Sequence, residues 1–198
     1  MQFNIANLIT GCRIALAPIL LLLAWHCREH LFLLCFIVAL LSDFVDGQLA
    51  RRLNLVSELG ARLDSWADLS TCVSVLIGTW WMRPDLVATE GVPFIAFIVS
   101  YGLPIAIGWI KYRRLTSYHT LMARISACLI GASAVILLAR GPDIPFRIAV
   151  CVLVVAELEE ICITLVLPEA QSNVRSLAAA IELKKYRLFP KKKRDYGR

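Results

Sequence analysis

Six apolar runs, at residues 14–25, 31–41, 69–82, 92–110, 125–139 and 148–167, leave this chain few ways to fold. Only the run at 92–110 approaches the ~20 uncharged residues of a simple membrane-spanning helix. The others reach that length if their charged ends are counted as helix. Polar groups then intrude at one end of several spans, which predicts a cavity open to one side of a membrane. With 59% hydrophobic residues, 18% charged residues and a mean hydropathy of +0.69, a chain of 198 residues is too apolar for an ordinary soluble domain and suits a multi-span membrane protein. The expected fold is all-α, with six transmembrane helices preceded by a short interfacial helix. That first helix is MQFNIANLIT, too polar and too short to cross. The start also lacks a basic leader and a small-residue cleavage site, so no secretory signal is expected.

Basic residues set the expected orientation. Six spans put both termini on the same side as the connections at 50–62 and 111–124. Those segments hold Arg51, Arg52, Arg62, Lys111, Arg113, Arg114 and Arg124, whereas the opposite loops hold little more than Arg28, Arg83 and Arg140. The termini are therefore expected in the cytoplasm, with the protein in the cell's inner membrane. The outer turns MRPDLVATEGVP and ARGPDIP carry the Pro and Gly that end helices. Trp25, Trp80 and Trp81 fall at the outer ends and read as interface anchors. Residues 1–170 read as one membrane domain and 171–198 as a basic cytoplasmic tail. Its KKKR run suits anionic lipid, at about 1 kcal/mol per basic residue, and no nucleic-acid partner is expected.

Most of the seven cysteines lie inside apolar runs and none forms a CxxC pair, so they read as small packing residues. His26 and His30 flank Cys27 and Arg28 at a turn between spans, which argues against a shared metal.

Four aspartates then need an explanation. In SDFVDGQLARRLNLVSELGARLDSWADLS, Asp43, Asp46, Asp64 and Asp68 stand at the inner edges of two apolar runs, where carboxylates are costly. On helices, Asp43 shares a face with Asp46, and Asp64 with Asp68. A reversal near 53–58 makes the two helices antiparallel neighbours. Each pair lies about 10 residues, or ~15 Å, from the reversal, so the pairs reach similar depth. Carboxylates facing one another there repel unless cations sit between them. An oxygen-only set favours Mg²⁺ or Mn²⁺ over zinc, and a two-metal site fits. Gly47, Ala50, Gly60 and Ala61 open space along these helices, for close packing or for a flat ligand. Arg51, one turn from Asp46, is placed to meet phosphate with its planar fork.

The stretch matches D-x-x-D-G-x-x-A-R-x8-G-x-x-x-D-x-x-x-D at Asp43, Asp46, Gly47, Ala50, Arg51, Gly60, Asp64 and Asp68. It resembles the signature of the CDP-alcohol phosphatidyltransferase family. The resemblance implies that Asp43, Asp46 and Asp64 hold two divalent cations. Asp68 would lie near them and act as base toward the attacking hydroxyl. It also implies that Gly47, Ala50 and Gly60 admit cytidine and that Arg51 touches the donor phosphates. The implied reaction displaces CMP from CDP-diacylglycerol by an alcohol, in a homodimer. Asn7 and Thr10 resemble a recurrent N-terminal N-x-x-T of the family and serve equally well as a helix cap or an interfacial contact.

The acceptor is less constrained. DGQLARRLNLVSELG is similar to the phosphatidylglycerophosphate synthase branch, but LDSWADLS lacks the proline and lysine usual there and is similar to phosphatidylserine synthases. Arg114, His119 and Arg124, in KYRRLTSYHTLMAR, are the candidate second anion site for a phosphorylated acceptor. Lys111 and Arg113 serve topology equally well. This favours sn-glycerol 3-phosphate, with serine, an inositol phosphate or another alcohol as alternatives. Glu157, Glu159 and Glu160 interrupt the last run, either facing the cavity and pairing with a base such as Arg124 or lying near the interface. Intramembrane acids also mark ion-coupled transporters. The absence of an internal repeat and the fixed Gly/Ala/Arg interleaving argue against that class.

Overall fold

The structure, a computed structural model, describes residues 5–52, 58–113, 120–168, 174 and 176–188. Eight helices and no strand are present among the described residues: α1 (Ile5–Trp25), α2 (Glu29–Arg52), α3 (Glu58–Met82), α4 (Pro84–Thr89), α5 (Gly91–Tyr112), α6 (Leu121–Leu138), α7 (Ile144–Val166) and α8 (Leu177–Leu188). The six long helices each carry one of the six apolar runs. By length and composition α5 and α6 are able to cross a membrane, and only 22% of the apolar window of each is buried. Apolar faces this exposed suit lipid better than water.

The beginning of the chain departs from expectation. Residues 5–10 continue directly into the first apolar run as α1, rather than forming a separate interfacial helix. At the junction, Thr10 and Arg13 are buried.

Two of the turns reverse the chain without glycine in the left-handed position. After α1, Cys27 adopts φ 51°. Its N–H donates to the Ala24 carbonyl at 2.9 Å, and that of Arg28 donates to the Leu23 carbonyl at 2.9 Å. These two bonds satisfy carbonyls that the helix end leaves without partners. After α6, Arg140 adopts φ 65° with the same bond pattern, Arg140 to Leu137 and Gly141 to Ile136. Glycine is needed one residue later, because a Cβ on Gly141 would meet the Ile136 carbonyl oxygen at 2.8 Å.

The chain divides into two compact units. The first comprises Met1–Gly91 and Ala134–Asp143. In it α1 packs against α3 and α2, around a core of Leu20, Ala24, Phe32 and Phe36, with Val75, Met82 and Leu138 at its edge. Gly78 lets the Phe32 ring lie against α3, since a Cβ there would stand 2.6 Å from Phe32 Cε2. At the same end Trp25 and Trp81 meet edge-to-face with centroids 5.4 Å apart, and Arg140 pairs with Glu29 at 3.1 Å. This core leaves the opposite end of α1, α2 and α3 to the aspartates.

The second unit comprises Val92–Ser133 and Ile144–Arg198. Phe94 of α5 packs on Phe146 of α7, and α7 buries Ala149, Val150, Leu153, Ala156 and Ile163. The C-terminal carbonyls of α7 are held by α5. Lys111 Nζ donates to Thr164, Leu165 and Leu167 at 2.6, 3.1 and 2.8 Å, and Tyr112 Oη donates to Thr164 and Leu167 at 2.8 and 2.6 Å. A cation at a helix C-terminus is favoured by the helix dipole, so Lys111 has a structural task here. After α7 comes α8, whose Ala180 packs with Val174 on Ile163 and Leu167. Glu159 Oε1 accepts the Leu177 N–H at 3.2 Å and so caps the start of that helix.

Candidate functional site

Residue spacing along α2 and α3 brings the acids together. Asp64 and Asp68 sit one turn apart on α3, and Ala67 between them is fully buried. Across from them Asp43 projects from α2. One carboxylate oxygen from each of Asp43, Asp64 and Asp68 lies within 4.8 Å of the others. Their side chains are about half exposed, so the cluster is open to incoming groups. The Ser42 and Ser70 hydroxyls turn back onto the Ala39 and Ala67 carbonyls at 2.8 and 2.9 Å and leave the carboxylates uncovered.

A residue that sequence reasoning passed over completes the site. Arg13, from α1, reaches into the three acids. Its Nη1 donates to Asp43 Oδ1 and lies 3.2 Å from Asp68 Oδ1, while Nη2 donates to Asp64 Oδ1. Only 2% of its side chain is exposed. The signal was available, because an arginine at the head of the apolar run at 14–25 needs a partner. What the sequence does not say is which acids, 30 and 51 residues away, supply it.

The remaining candidates divide by location. Asp46, Gly47, Ala50 and Arg51 continue along α2 beyond Asp43, and Gly60 stands partly buried near the start of α3. Arg114 and His119 lie outside the described residues. Arg124 is in the second unit, in the first turn of α6, with an exposed side chain. Thr120 begins that turn, its Oγ1 accepting the Ala123 N–H at 3.0 Å. Glu157, Glu159 and Glu160 are partly buried on α7, and none of them pairs with Arg124 among the described residues.

The donor set fits a hard divalent cation. Three convergent carboxylates offer oxygen alone, which suits Mg²⁺ or Mn²⁺ and not the nitrogen- and sulfur-rich sets of zinc. Each carboxylate carries two oxygens and can accept more than one contact.

Comparison with known proteins agrees with this chemistry. The family model for CDP-alcohol phosphatidyltransferase matches residues 3–166. The chain is 38% identical over 93 residues to a CDP-diacylglycerol--glycerol-3-phosphate 3-phosphatidyltransferase of Salmonella choleraesuis, covering 41% of this chain and 50% of that protein. It is 39% identical over 91 residues to the protein of that name from Bacillus subtilis, covering 38% and 47%. For the one from Rickettsia typhi the identity is 35% over 79 residues, covering 37% and 44%. The chain thus spans about half the length of the curated relatives it matches. No solved structure matches it. With most of its length matched by the family model, and with Asp43, Asp64 and Asp68 of the signature converging in space, the chain belongs to the CDP-alcohol phosphatidyltransferase family, a family of membrane proteins.

Proposed function

We propose that the protein transfers the phosphatidyl group of CDP-diacylglycerol to sn-glycerol 3-phosphate and releases CMP. The observation that carries this reading is the convergence of Asp43, Asp64 and Asp68 at the spacing of the family signature. The activity for which the relatives are named supports the acceptor. Asp43, Asp46, Asp64 and Asp68 would hold two ions, Mg²⁺ or Mn²⁺. When bound, such ions supply positive charge that neutralises a pyrophosphate and stabilises departing CMP.

The chain's own residues do the rest. Asp68 accepts the proton of the acceptor hydroxyl as its oxygen attacks the lipid-bearing phosphorus, and the bond from that phosphorus to CMP breaks. Gly47, Ala50 and Gly60 leave room for cytidine, and Arg51 grips the donor phosphates. Arg114, His119 and Arg124 receive the phosphate that the acceptor itself carries. In this reading the six long helices all span the inner membrane, and both termini and the acid end face the cytoplasm. Residues 1–170 form the membrane domain, 171–198 form a basic tail, and the protein works as a homodimer.

The test is purified protein with labelled CDP-diacylglycerol and a panel of alcohols, scored for lipid product and CMP. Labelled product with glycerol 3-phosphate supports the assignment. Product only with serine, or with an inositol phosphate, moves the acceptor and keeps the reaction class. No CMP with any alcohol overturns the proposal.

A further inference from the structure

Arg13 places a fixed positive charge among the carboxylate oxygens that a metal site would use. Its fork bridges Asp43 and Asp68 through Nη1 and reaches Asp64 through Nη2. An arginine so placed stays charged and has little freedom to leave, since its side chain is 2% exposed. The charges then constrain what else enters. Four signature aspartates carry four negative charges, and Arg13 cancels one of them. Two divalent ions bring four positive charges, one more than the three that remain. A pyrophosphate joining a nucleoside to a lipid carries two negative charges and reverses that excess.

We propose, on the basis of the phosphatidyltransferase reading above, that Arg13 is a positioning residue that makes binding of a second divalent ion depend on the donor's pyrophosphate. A first ion binds the free protein. The second is opposed at close range by the guanidinium and enters only with the nucleotide, so the site completes its charge when the donor is present. From α1, Arg13 therefore does more than fasten the acid-bearing helices α2 and α3 together.

The experiment counts Mn²⁺ bound to the full chain in detergent by electron paramagnetic resonance, with and without CDP as a water-soluble diphosphate. Wild type is expected to take one ion without CDP and two with it, the second tightening at least about tenfold. Arg13→Gln should take two ions without CDP, and the tightening by CDP, part of which direct contact with the diphosphate retains, should fall at least about threefold below that of wild type. Arg13→Lys, which keeps the charge, should keep the dependence on CDP, and thermal unfolding of each variant reports its folding. Two ions bound to wild type without CDP overturn the inference even if Arg13→Gln fails to fold. Equal tightening by CDP in wild type and Arg13→Gln, or its loss in Arg13→Lys, also overturns it, and either result leaves the transfer reaction standing. Should wild type bind no Mn²⁺ with or without CDP, the two-metal reading of the reaction fails and takes this inference with it.

Discussion

Two groups of acids interrupt apolar helices in this protein, and their fates differ. Asp43, Asp64 and Asp68 come from α2 and α3, meet within 4.8 Å and share one buried arginine from α1. Glu157, Glu159 and Glu160 sit on α7 alone. Of these, Glu159 caps the neighbouring helix α8 through the Leu177 N–H. Both groups have three carboxylates within or beside an apolar run, so the number of acids does not separate them. Convergence from two helices does. Glu157 and Glu160, three apart, share a face of one helix only, whereas the antiparallel neighbours α2 and α3 aim their acids at one point.

The sharpest way to break this comparison is to remove divalent ions. If the aspartate group is the metal site, EDTA should abolish transfer and Mg²⁺ or Mn²⁺ should restore it, measured as CMP released from CDP-diacylglycerol. Full activity in chelator would place the chemistry elsewhere. Next in size, Asp68→Asn should lower turnover by about 10²–10⁴-fold while the donor still binds, because an amide does not accept the proton. Asp43→Asn should instead weaken metal and donor binding together. Near-normal turnover in Asp68→Asn would remove that residue as the base.

A third measurement asks whether the second unit takes part in the chemistry. Arg124→Ala should lower acceptor kcat/KM by about tenfold to a hundredfold, the loss of one charge-assisted contact, with CDP-diacylglycerol affinity unchanged. Arg124→Lys should recover part of it, since an ammonium lacks the planar fork. Untouched acceptor kinetics would confine the reaction to residues other than Arg124. The smallest effect is expected in the glutamate group. Glu159→Ala removes the α8 cap, worth about 1 kcal/mol, and should lower the thermal unfolding temperature in detergent by about 2–4 °C without changing turnover. A large fall in kcat would erase the distinction between the two groups.

Some of this architecture was legible along the chain, and some was not. Helices of 18 residues or more cover the apolar runs at the expected places, because apolar length is a local property that survives folding. The aspartate pairs were legible too, since three- and four-residue steps put both members on one face whatever the helix packs against. The start departed from expectation, since residues 5–10 continue directly into α1, and the acids that Arg13 meets lie far along the chain. The task of Lys111 was equally hidden. It holds carbonyls at Thr164, Leu165 and Leu167, which nothing in KYRRLTSYHTLMAR identifies. The tail read only as a basic extension because its charge dominates, yet Val174 and Ala180 pack against Ile163 and Leu167.

By itself the sequence determined the helical class, the turn positions and the residues able to bind a divalent cation, since hydropathy and helical spacing act within a few turns. The tertiary structure alone decided which charges meet. Arg13, 30 residues from Asp43 and 51 from Asp64, becomes part of the acid cluster only when α1 packs against α2 and α3. A buried charge takes its partners from whichever side chains the packing of distant helices brings within reach, and no local pattern records that choice.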